Sequence, residues 1–135
     1  MPAAKIFLDT NILIYFATDT DIKKRDRAAE LLSTSPTISV QVLNEFTSVM
    51  RAKLNAPWPA IRAQLDLFGE ACEVVSLTQK VQSHAVDIAE RYRFAIYDAN
   101  IIAAAEAAGV TDLYSEDMQN GQRFGRLTIL DPFKE

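Results

Sequence analysis

Short apolar runs alternate with helix-period segments along the whole chain, and this alternation limits the fold more than any other feature of the sequence. Lys5–Leu8, Thr37–Ser39, Cys72–Leu77, Asp112–Ser115 and Leu127–Leu130 read as strands. Between them the spacing predicts helices from Asn11 onward, over about 21–34 until Ser35-Pro36, over 40–55, over about 58–71 beyond the Pro57/Pro59 break, and from Thr78 to about Arg93. A last helix, YDANIIAAAEAAG, is rich in small residues and closes on Gly109. Strands alternating with helices indicate an α/β domain with a mostly parallel sheet of four to five strands. In open sheets of this kind, ligand sites form beyond the carboxyl ends of the strands.

The length of 135 residues fits one domain spanning 1–135, and the 49% hydrophobic content is enough for a sizeable core. A lone cysteine, Cys72, excludes an internal disulfide and suits a reducing compartment. Asp9 and Asn11 interrupt the only early apolar run, so no signal peptide is expected. The most apolar later stretch, around 95–110, contains Asp98, Asn100 and Glu106 and falls short of a membrane span. A cytoplasmic protein is expected. Its formal charge of −4 argues against broad nucleic-acid binding through a uniformly basic surface.

Four acids stand in awkward places. Asp9 follows the first strand inside IFLDTNILIY, where burial of an unpaired carboxylate is costly. Glu45 lies about 40° beyond the apolar face formed by Val42, Leu43, Phe46, Val49 and Met50, at 100° per residue. Asp98 shares the face of Ile101, Ile102 and Ala105. In LYSEDMQNG, strand alternation puts Ser115 and Asp117 on one side and Glu116 on the other. Each acid has a plain structural explanation: Asp9 or Thr10 as a helix cap, Glu45 as an edge residue, Asp98 as a cap, Glu116 and Asp117 as turn residues. Those explanations do not account for four acids on the same side of one α/β sheet. Clustered carboxylates repel unless protons or cations intervene, and an oxygen-only set suits Mg²⁺ or Mn²⁺. The His/Cys spacing that zinc requires is missing, and His84, the only histidine, sits mid-helix.

Taken in order, DTN after the first strand, a Glu in the third helix, YDA opening an alanine-rich helix, SEDMQNG after the fourth strand and the closing LTILDPF resemble the PIN-domain ribonucleases. Within these the chain is similar to the VapC-type toxins of toxin–antitoxin pairs. The resemblance implies a three-layer α/β/α fold and an acidic pocket for Mg²⁺ or Mn²⁺. Matched motif by motif, the acids are Asp9, Glu45, Asp98 and Asp117, with Glu116 as a further metal-binding candidate. Thr10, Asn11 and Ser115 resemble residues that orient the acids or touch a phosphate. Asn100 departs from the aliphatic residue commoner in related helices.

The implied reaction is hydrolysis of an RNA phosphodiester by an ion-activated water, with Asp9, Asp98 and Asp117 on the principal ion and Glu45 reaching a second ion or its water. Implied partners are a cognate antitoxin, an RNA substrate and a second copy of the chain, with the segment around Trp58 as a contact candidate. Removing the four acids from 18 leaves 14, against 14 Lys and Arg, so the remaining surface is balanced. Lys23, Lys24, Arg25 and Arg27 form one candidate RNA patch, and Arg123 and Arg126 another. Two rivals remain. A haloacid-dehalogenase-like phosphotransfer enzyme resembles D-x-D after the first strand, where this chain has Asn11. The second is a catalytically silent PIN-like module that binds RNA or protein, whose sequence mark would be a missing acid.

Overall fold

A computed structural model describes residues 5–134. Strands β1 (Ile6–Leu8), β2 (Thr37–Ser39), β3 (Glu73–Val75), β4 (Asp112–Tyr114), β5 (Arg123–Phe124) and β6 (Leu127–Leu130) form one sheet in the order β3-β2-β1-β4-β6-β5. All pairings are parallel except β5 with β6. Helices α1 (Thr10–Ala17), α2 (Ile22–Leu32), α3 (Val40–Ala52), α4 (Trp58–Ala71), α5 (Gln79–Tyr92) and α6 (Ile96–Ala107) complete a three-layer α/β/α arrangement.

The sheet has six strands rather than the expected four to five. The addition is β5, a two-residue strand folded back on β6. Two residues carry no periodicity, so alternation could not have revealed it. Cys72–Leu77 is also trimmed, to Glu73–Val75.

Cap chemistry sets most of the helix starts. Side chains of Asp21, Ser39 and Thr78 accept hydrogen bonds from the backbone N–H of Lys24, Val42 and Val81. Asp9, not Thr10, caps α1. Asp98 is not a cap: α6 begins at Ile96, its N-cap position is Ala95, and Asp98 falls in the first turn. The far end of α6 closes as expected on Gly109, whose φ of +74° lets its N–H reach Glu106 O at 3.0 Å while Val110 N–H reaches Ala105 O at 3.4 Å.

The core joins Phe7 and Leu8 of β1, Ile12 and Leu13 of α1, Ile38, Val42 and Phe46 to Ile61 and Phe68 of α4. Phe46 meets Phe68 edge-on with centroids 5.0 Å apart. Helix α6 is buried continuously from Ala99 to Ala105, and its short side chains let it pack tightly on its neighbours. Because β2 and β4 flank β1 on opposite sides, the chain reverses its direction of growth at β1. The carboxyl ends of β1 and β4 therefore lie side by side, at the point where open α/β sheets form clefts. Asp9 follows one end and Ser115 the other.

Candidate active site

Asp9 is 4% exposed, and both its oxygens are engaged. Oδ1 accepts the Thr10 N–H at 2.7 Å, and Oδ2 accepts the Ser115 hydroxyl at 2.7 Å. Burial pushes its pKa up to about 7, the Ser115 and Thr10 bonds oppose this, and the nearby Glu45 and Asp98 charges reinforce it. Glu45, on the second turn of α3, is partly buried and accepts the Thr10 hydroxyl on Oε2 at 3.1 Å. Burial, then the Asp98 charge, raises its pKa. Asp98 is raised in the same way, first by burial and then by Asp117. Asp117 is exposed and accepts the Asn11 amide on Oδ2 at 2.9 Å. The four acids thus form one electrostatically linked group, drawn from the ends of β1 and β4 and from α3 and α6.

The three polar residues proposed as orienting groups each hold a different acid: Thr10 holds Glu45, Asn11 holds Asp117, and Ser115 holds Asp9. Ser115 is fully buried, and its Oγ also accepts the backbone N–H of Asp117 at 3.2 Å and of Met118 at 3.3 Å. It therefore shapes the turn that carries Asp117.

Glu116 departs from expectation. It does not join the acid group: Tyr15 OH donates to its Oε1, and Lys24 Nζ pairs with its Oε2. Burial raises its pKa, but the Lys24 and Tyr15 bonds outweigh this and the net shift is downward. The split arises in the turn just past β4, where Ser115 and Asp117 bond toward the acids and Glu116 turns away to Tyr15 and Lys24. Sequence reasoning overlooked Tyr15, whose only signal is its position one helical turn beyond Asn11.

The first basic patch is largely spoken for. Lys24 binds Glu116, Arg25 pairs with Asp19, and Arg27 pairs with Glu30 and donates to Pro132 O at 3.2 Å. Lys23 is exposed. Arg123 and Arg126 are exposed on the β5–β6 hairpin, where Arg123 lies opposite Thr128 and Thr128 opposite Asp112. That register sets them beside the start of β4, at the other end of the strand from the acids. Trp58 is half exposed under the Arg51 guanidinium, 5.2 Å from its ring, rather than in the core.

The donor set suits a hard divalent cation: all oxygen, with three carboxyls raised by burial and mutual charge. Asn11 adds a further oxygen, because its Oδ1 is buried without a hydrogen-bond partner while its Nδ2 holds Asp117. Among the described residues no three acids already stand close enough to form a metal shell. An ion here would depend on water for part of its coordination, as Mg²⁺ commonly does. A separate cleft of about 640 Å³ between α5 and α6 is lined by Val81, His84, Ala104 and Glu106 and includes none of the four acids. A ligand there would be remote from them in chemistry.

Among solved structures, VapC20 of Mycobacterium tuberculosis, described as a sarcin–ricin loop cleaving toxin, is similar at 19% identity, with 84% of this chain and 90% of that one covered and a TM-score of 0.70. DNA-bound VapBC from Salmonella typhimurium matches at 24% identity over 96% of this chain and 99% of that one, with a TM-score of 0.70. A toxin–antitoxin complex from Klebsiella pneumoniae matches at 19% identity over 97% and 100%, with a TM-score of 0.69. No curated protein sequence matches the chain. The PIN domain family model matches residues 6–120, which include all four acids, and the chain belongs to the PIN domain family.

Proposed function

We propose that this protein is a Mg²⁺- or Mn²⁺-dependent endoribonuclease acting as the toxin of a toxin–antitoxin pair and inhibiting translation in the cytoplasm. One observation carries the reading: four acids from four separate elements are linked electrostatically where β1 and β4 end, and three are held by dedicated polar side chains. A module that only binds has no need to gather like charges around a buried carboxylate in this way.

Asp9, Asp98 and Asp117 would hold the principal ion, with Glu45 at a second ion or a water. When bound, such an ion activates water and neutralises the phosphate during displacement at phosphorus. Ser115 and Thr10 fix Asp9 and Glu45, so these carboxylates are oriented before substrate arrives. Asn11 keeps the exposed Asp117 turned toward the group.

Toxins in the VapBC complexes support a protein antitoxin as partner. Exposed Leu54, Trp58 and Leu67 on and between α3 and α4 offer apolar area for a protein contact, with the antitoxin or in a homodimer. Lys23, exposed in the first turn of α2, remains a candidate RNA contact. Arg123 and Arg126 would serve an RNA that extends along the sheet to its far end.

The test is cleavage of structured RNA by purified, partner-free protein. Cleavage should require Mg²⁺ or Mn²⁺, stop with EDTA and be lost in Asp98→Asn. Cutting that survives both would overturn the reading.

A further inference from the structure

We propose that Glu116 is a positioning residue: clamped by Tyr15 and Lys24, it sets the turn that presents Ser115 and Asp117 to the acid group. The inference rests on the metal-nuclease reading and deepens it.

The residues of the turn alternate in direction. Ser115 points to Asp9 and Asp117 to Asn11, while Glu116 points to Tyr15 and Lys24. Helix α1 grips both sides of the turn. Asn11 and Tyr15 are one helical turn apart on the same face, and they bind Asp117 and Glu116 respectively. Both Glu116 oxygens are occupied, one by the Tyr15 hydroxyl and the other by the Lys24 ammonium.

Lys24 is itself held. Its Nζ donates to Tyr15 OH at 3.2 Å and lies 4.8 Å from the Tyr15 ring centroid and 5.2 Å from that of Phe133. Tyr15 and Phe133 meet edge-on at 5.2 Å. The paired side chains are only 29% and 25% exposed, so this is a networked, partly buried pair rather than a mobile surface one. Residues 115–122 contain no helix or strand. Backbone bonds anchor the two ends, from Ser115 N–H to Leu130 O and from Gly121 N–H to Ile129 O. Between them Glu116 and Asp117 are held by these side-chain ties and by the Ser115 Oγ bonds to the N–H groups of Asp117 and Met118.

A carboxylate with both oxygens used and a cation against it is poorly suited to be a metal ligand. It is well suited to orienting its neighbours. Partners that orient metal-site residues typically carry about 10–100-fold in affinity or activity.

The experiment compares Glu116→Gln, Lys24→Met and Tyr15→Phe in the full chain, reading Mn²⁺ affinity, kcat, KM for RNA and the NMR shift of the Asn11 side-chain amide. Circular dichroism checks that each variant is folded. We expect all three to weaken Mn²⁺ binding and lower kcat by a similar factor, about 10–100-fold, with KM nearly unchanged. The Asn11 resonance should move in each, Lys24→Arg should recover most of the loss, and the Glu116→Gln/Tyr15→Phe pair should be no worse than the worse single change. If Lys24→Met and Tyr15→Phe bind Mn²⁺ like wild type or more tightly while Glu116→Gln fails, Glu116 is a ligand and the proposal is overturned. Wild-type values for all three variants overturn it equally. Wild-type protein that binds no Mn²⁺ removes the metal reading itself, and the proposal with it.

Discussion

Ser115 donates its hydroxyl to Asp9 Oδ2 at 2.7 Å, joining the carboxyl end of β4 to that of β1 through two buried side chains. The bond ties together residues 106 positions apart in sequence. It also stabilises the ionised form of a carboxyl that burial would otherwise keep protonated still more strongly.

Ser115→Ala should therefore push the Asp9 pKa further up from about 7. The pH–activity profile should move toward alkaline pH, and stability should fall by about 1.5–3 kcal/mol for loss of a buried bond to a charged group. A pH–rate series and a urea titration measure the two effects. An unshifted profile would mean that the hydroxyl does not govern the titration of Asp9.

Asp9 also fixes the sign of the pH–stability relation of the metal-free protein. Its folded pKa of about 7 lies above the reference value of 3.8. The folded state therefore holds the proton longer than the unfolded chain, and the stability due to this group is complete below about pH 4 and is lost as pH rises toward 7. Roughly three pKa units correspond to a loss on the order of 4 kcal/mol across that window. Asp9→Asn should flatten the decline and stabilise the metal-free protein at neutral pH. Denaturation with EDTA present, at several pH values between 4 and 8, provides the check, and equal slopes for both proteins would count against it.

Protons and a divalent ion should compete for the same oxygens. The rise in Tm produced by Mn²⁺ should be larger at pH 8 than at pH 6, because Asp9 is mostly ionised only at the higher value. Differential scanning fluorimetry at the two pH values compares them directly. A rise independent of pH would point to an ion bound elsewhere.

Much of this site was legible in the sequence because it depends on local pattern. A strand followed by Asp9 and an edge position for Glu45 follow from periodicity, and the structure retains them. The opposite directions of Ser115 and Asp117 against Glu116 were also expected, although they arise in a turn rather than in the strand. Periodicity does not say what a side chain meets far away along the chain. Glu116 was expected near the metal because it neighbours Asp117, yet its partners Tyr15 and Lys24 are 101 and 92 residues distant. The same distance effect hid the pairing of Lys24, a candidate RNA contact, with Glu116. Strand β5 was missed for a different reason: its two residues are defined by pairing with β6, not by any pattern of their own. The plain alternative for Asp98, a helix cap, fails because the helix begins two residues earlier, at Ile96, a boundary that the sequence pattern left open.

The most direct test of the central claim is Mn²⁺ binding followed by electron paramagnetic resonance in wild type and in Asp9→Asn, Asp98→Asn and Asp117→Asn. If these acids form one metal centre, wild type should deplete the free Mn²⁺ signal and each variant should bind at least about 10-fold more weakly while remaining folded. Binding that is unchanged in all three variants would contradict the assignment.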